Sequence, residues 1–267
     1  MVTPLLDSPD AVGRTARRVV AGRIGGLVLG LVAAVALANA PASWLGLGLA
    51  LAAPAFAICL LAGVLVGELI AVGPLPAVRT ATLEVRRVRS YLPPRTTRVV
   101  AAAWVTLDVV LLLASAVGSA DDQGRPGRAL TLSCGDVSAS VSPWPGLFYA
   151  VPIAVVVHAG LLLAVVALRR LVRRPRPGAH PDDRGADDRV RAASAGAVTA
   201  AVGVLVAAPL AGTTLIAAGR VFSLAGQPCA PAGLSAVGWA GVAVAAVAAV
   251  ATGVFVATLG APRRGRP

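Results

Sequence analysis

Residues 147–168 read LFYAVPIAVVVHAGLLLAVVAL, followed directly by Arg169-Arg170. A helix needs about 20 apolar residues to cross a hydrocarbon layer of about 30 Å. This stretch has that length, carries no formal charge except through His158, and ends on a basic pair. It predicts a membrane span. Five more stretches share the pattern, at Ile24–Ala40, Leu45–Val66, Val99–Gly118, Ala193–Gly219 and Val237–Gly260. They are continuously apolar, without the ten-residue polar–apolar alternation of a membrane β-barrel. The expected fold is an all-α bundle of six transmembrane helices.

Composition agrees. Of 267 residues, 57% are hydrophobic and 13% charged, and the mean hydropathy is +0.81. A soluble domain carries about 25% charged residues. A soluble globular enzyme, a disordered chain and a disulfide-stapled secreted domain are all excluded by these values.

All 24 basic residues are Arg, giving a net charge of +12. Four segments hold 21 of them: the tail before the first span, the loops after the second and fourth, and the tail after the sixth. The intervening loops hold only Arg125, Arg128 and Arg220. Basic loops stay on the cytoplasmic side, so both termini are expected inside, with residues 1–23 and 261–267 as cytoplasmic tails around a membrane domain at 24–260. The excess Arg implies lipid bilayer and anionic head groups as partners. Nucleic acid is not expected, because the basic loops hold a single aromatic, Tyr91.

The first span resembles a signal peptide in its Arg residues, its apolar run and the string Ala36-Leu37-Ala38-Asn39-Ala40. Pro41 hinders cleavage after Ala40, and cleavage after Ala38 stays open. An uncleaved anchor is the expectation.

Two loops share a spacing. Cys134 precedes Trp144 and Gly146 as Cys229 precedes Trp239 and Gly241. This raises a tandem hairpin repeat over 98–170 and 191–264, against the general enrichment of Trp at membrane interfaces. Trp44 opens the second span in a similar way, and Trp44, Trp144 and Trp239 are expected as interface anchors. Cys134 and Cys229 lie in external loops and form the disulfide candidate; free thiols or an intermolecular bond are the alternatives. Cys59 lies within a span and reads as a small apolar residue.

Asp108 and His158 fall near mid-depth of consecutive antiparallel spans. Intramembrane ionisable groups are costly and often mark ion or proton pathways. The competing reading is a structural hydrogen bond between helices. Glu68, at the inner end of the second span, is expected to pair with Arg. The stretch Arg173–Arg191, with Pro175, Pro177 and Pro181, reads as a solvated linker, and Thr80–Arg89 as an amphipathic surface helix.

No nucleophile elbow, P-loop, His-Glu-x-x-His or Cys-x-x-Cys occurs. No cofactor or metal site is expected. The aspartates Asp182-Asp183 and Asp187-Asp188 are the nearest approach to an enzymatic motif, since paired aspartates can hold Mg²⁺ against diphosphates. Their Arg-rich, Pro-rich setting favours a charge-balanced loop.

The strings SADDQGRPGRAL (Ser119–Leu130), Cys134-Gly135-Asp136 and SPWPGLFYAVP (Ser142–Pro152) resemble small multi-pass membrane proteins of high-GC actinobacteria that carry no assigned function. That resemblance spans most of spans two to six and implies no catalytic residues. The functional expectation is a non-enzymatic accessory or structural component of a membrane assembly, with a protein partner or homo-oligomerisation. A small permease, proton-coupled through Asp108 and His158, is the alternative.

Overall fold

The computed structural model describes residues 10–70, 88–174, 181–228 and 230–260. It contains α1 (Asp10–Ala38), α2 (Leu47–Ile70), α3 (Pro94–Val117), β1 (Leu130–Cys134), β2 (Val137–Val141), α4 (Leu147–Arg173), α5 (Pro181–Ala225) and α6 (Leu234–Gly260). Each of the six helices is long and apolar enough to cross a membrane. The chain is a multi-pass membrane protein.

Helix α5 is the axis. In its membrane-length segment 67% is buried, against 17–28% in the other five. Helices α2, α3, α4 and α6 pack on it, and α1 lies outside α2. The shared core includes Leu60, Leu61, Leu107, Ile153, Val157 and Leu205.

Small residues set the closest contacts. Gly22, Gly26 and Gly30 recur at every fourth position of α1; Gly22 and Gly26 meet Gly63 and Gly67 of α2, and Gly30 meets Phe56. A Cβ placed on Gly63 would lie 2.5 Å from the Gly22 carbonyl oxygen and 2.6 Å from the Gly26 Cα. Only glycine permits this approach, which is how helix pairs gain packing contacts in lipid.

The boundaries depart from the sequence expectation at two places. The expected tail up to residue 23 is helical from Asp10. Two of its arginines bond to helix ends, with Arg18 Nη1 donating to the Ile70 carbonyl at 3.1 Å and Arg23 Nη2 to the Leu259 carbonyl. A cation at a helix C-terminus satisfies an orphan carbonyl and the helix dipole together. The expected linker Arg173–Arg191 is also corrected: α4 runs to Arg173 and α5 starts at Pro181. Proline suits a first helical turn, where its missing N–H has no partner to lose. Of the Thr80–Arg89 segment, residues 80–87 lie outside the described residues, and Val88–Ser90 form one 3₁₀ turn.

Among the described residues, the loop between α3 and α4 adds two strands to the helices. They pair antiparallel from Leu130↔Val141 to Cys134↔Val137. Gly135, at φ +62°, takes the first position of the two-residue turn, where a positive φ is required.

Candidate functional site

Among the described residues, three polar sites occur at three depths. Asp108 is nine residues from the end of α3 and His158 eleven from the start of α4. At 1.5 Å per residue they lie about 14 and about 16 Å from the hairpin end, so their depths match. They meet, with His158 Nε2 3.5 Å from Asp108 Oδ2. His158 Nδ1 is 2.8 Å from the Ala154 carbonyl oxygen. A carbonyl only accepts, so Nδ1 carries a proton and Nε2 faces the carboxyl. At 3.5 Å the Nε2–Oδ2 separation is longer than a well-formed hydrogen bond. The Trp104 ring stands edge-on to His158, centroids 6.0 Å apart, and its Nε1 is buried without an acceptor.

The pair does not line the interior. The His158 side chain is 48% exposed and that of Asp108 30%. Around them on the same flank, Val105, Leu112, Val155 and Leu162 are exposed. This is the outer surface where α3 and α4 approach each other.

At the Arg-rich end lies a buried ionic cluster. Arg174 donates to Glu68 Oε2 at 2.8 Å and to Asp187 Oδ1 at 2.7 Å. Arg191 Nε donates to Asp187 Oδ2 at 2.7 Å, and its terminal nitrogens donate to the carbonyls of Leu171 and Arg174. Ser194 donates to Glu68 Oε1 at 2.8 Å. The four charged side chains are at most 2% exposed. Two cations face two anions, so the burial leaves no net charge, and nearly every polar atom is satisfied, as a buried network demands. The cluster joins α2, the end of α4 and α5. It gives Glu68 the expected Arg partner. It also removes Asp187 from a solvated loop, while Asp188 accepts from the Tyr91 hydroxyl at 3.1 Å. The side chains of Asp182 and Asp183 lie outside the described residues. Among the described residues no three His, Cys, Asp or Glu side chains gather as a metal site.

At the hairpin end Asp121 organises the loop. It accepts from Arg125 Nε and Arg128 Nη1, each at 2.7 Å, and from the Arg125 and Gln123 backbone N–H groups. Burial pushes its carboxyl up, but the hydrogen bonds from Arg128 and Arg125, with that from Gln123, outweigh it and hold the group well below the usual carboxylate range. Burial pulls the Arg128 guanidinium down, and Asp121 and Tyr149 more than offset this. Below the loop is an apolar cavity of about 290 Å³ among α2, α4 and α5, lined by Leu49, Ala53, Trp144, Tyr149, Ile153 and Pro209.

Trp144 is not an exposed anchor. It is 5% exposed, and its Nε1 donates to the Ala114 carbonyl at 2.7 Å, closing the last turn of α3. Trp44 and Trp239 are exposed. Trp239 lies inside α6, edge-on to Phe222, so the two tryptophans of the tandem spacing have different settings. Cys59 is unbonded. The Cys134–Cys229 bridge concerns Cys229 and the Cys134 side chain, which lie outside the described residues. Sequence reasoning missed the role of Arg18 and Arg23 as helix caps and the inward turn of Arg174 and Arg191. The Asp187–Arg191 spacing of four, which aligns side chains on a helix, was the available signal for the last of these. No protein-family model, no curated protein and no solved structure matches this chain.

Proposed function

We propose that this protein is a non-enzymatic structural component of a membrane assembly, acting through lateral contacts with protein inside the bilayer. One observation carries the reading: a mid-depth His–Asp pair stands on the outer flank of the bundle. Ionisable groups inside a membrane face the bundle interior, a water-filled cavity or another polypeptide, because lipid tails offer them no partner. With no interior position for this pair, a neighbouring protein supplies the cover. The Arg distribution supports a cytoplasmic location for both termini. At that end Arg14, Arg17, Arg95, Arg98, Arg169, Arg170, Arg173 and Arg189 are exposed, placed for anionic head groups.

The test is a tagged purification from the native membrane in mild detergent, with mass spectrometry of the eluate. A stoichiometric partner, a second copy included, that is lost from the Asp108→Leu/His158→Leu variant supports the reading. Elution as a lone monomer, or a partner indifferent to the substitutions, overturns it.

A different observation favours a second reading, a small permease. The hairpin-end cavity is bordered by α2, α4 and α5, each carrying an internal proline. The same three elements are clamped at their opposite ends by the Glu68–Arg174–Asp187–Arg191 cluster. Proton-coupled flux in reconstituted vesicles that stops with Asp108→Asn would put this reading first.

A further inference from the structure

We infer that the neighbour covering the Asp108–His158 flank is a second copy of this chain, related by a two-fold axis along the membrane normal. The inference rests on the reading above and names its partner.

The geometry follows from symmetry. All copies of a membrane protein insert with one orientation, so a two-fold axis between them runs along the normal and preserves depth. A mid-depth pair on one copy therefore meets the mid-depth pair of the other. On the outer surface Asp108 and His158 stand side by side, one on α3 and one on α4. Two identical surfaces turned face to face exchange left and right. Asp108 of each copy then stands opposite His158 of its neighbour. The patch carries both halves of a complementary contact, which is the requirement for an isologous interface.

The chemistry adds to this. Within one copy the contact is 3.5 Å, longer than the 2.7–3.2 Å of a well-formed hydrogen bond. Nε2 and the carboxyl thus retain unused bonding capacity, and both side chains are partly exposed. A facing copy brings a second carboxyl and a second imidazole to the same depth, forming a ring of four groups. Each carboxyl then has two imidazoles within reach. The exposed apolar residues around the pair, Val105, Leu112, Val155 and Leu162, pack as the surround that keeps lipid out.

The experiment places a photoreactive benzophenone side chain at Val155, one helical turn from His158, in the full-length chain in native membranes. Val247, exposed on α6, is the control position. Subunits of the fluorescently tagged chain are counted in parallel in lipid vesicles at low protein density. The expected result is a self-adduct at Val155 and none at Val247. The dimer fraction should fall about tenfold in Asp108→His alone and in His158→Asp alone, the effect of losing two interhelical hydrogen bonds of ordinary strength. It should return in the double exchange Asp108→His/His158→Asp, which restores one carboxyl and one imidazole per copy. That rescue separates lost pairing from lost folding.

Equal self-adducts at both positions, or single exchanges that dimerise like the wild type, overturn the inference. An adduct at Val155 with a different protein overturns self-association and leaves the assembly reading standing. An absence of any protein adduct at Val155 overturns both.

Discussion

The guanidinium of Arg174 donates to the carboxylate of Glu68 at 2.8 Å, across 106 positions of sequence, with both side chains almost wholly buried. It locks the end of α4 to the end of α2. Removing one partner of such a pair leaves a buried charge uncompensated, at a cost of about 3–5 kcal/mol. Glu68→Ala and Arg174→Ala are each expected to lower the thermal midpoint in detergent strongly. Replacing both by Met should cost less than the two single effects added together. A double-variant effect equal to that sum would show that the two side chains act independently.

The α1–α2 contact predicts a contrast between two glycines. Gly63→Ala puts a methyl 2.5 Å from a backbone oxygen, whereas Gly25 faces open space. Overpacking of this kind costs about 1–3 kcal/mol. Gly63→Ala should destabilise the bundle by that amount and Gly25→Ala should be neutral, read from the thermal midpoints of the two variants.

Trp144 and Trp239 should also separate. Trp144→Phe deletes the donor to the Ala114 carbonyl at 2.7 Å and leaves that acceptor buried, a loss of about 1–3 kcal/mol. Trp239 is largely exposed and donates no such bond among the described contacts. Trp239→Phe is expected to change stability by less than about 0.5 kcal/mol, as surface substitutions do.

The hairpin loop should be acid-sensitive. Asp121 has its folded pKa depressed by Arg128 and Arg125 against an opposing burial effect. A depressed carboxyl contributes stability that is fully present above its unfolded value, about 3.9, and is lost as pH falls through the folded value. Proteolysis of residues 118–146 in detergent should therefore be slow at pH 6 and accelerate below about pH 4. Asp121→Asn should be cleaved quickly at both.

Hydropathy revealed the six spans because it needs only length and composition. It did not reveal their ends, since Arg14, Arg17, Arg18 and Arg23 look like a tail whether or not they continue a helix. The β1–β2 pair was not read from the sequence: LTLSC and VSASV flank Gly135-Asp136 with strand-like alternation, but the short segments are overshadowed by the spans. The depth of Asp108 and His158 was readable by counting residues. Their place on the outer flank was not, because helices that are apolar on every side carry little periodicity to distinguish core from lipid. The inward turn of Arg174, one of eight arginines in its segment, depends on where α2 and α5 place Glu68 and Asp187, a tertiary fact that no local pattern encodes.

Arg23 of the first helix donates to the Leu259 carbonyl near the end of the sixth. Synthesis runs from the N-terminus, so α1 and α2 can interlock through their glycines while the ribosome is still making α4. The Arg23 contact waits until the last helix has emerged. Docking of the first helix against the end of α6 through this contact therefore comes late in assembly, after the α1–α2 pair has formed.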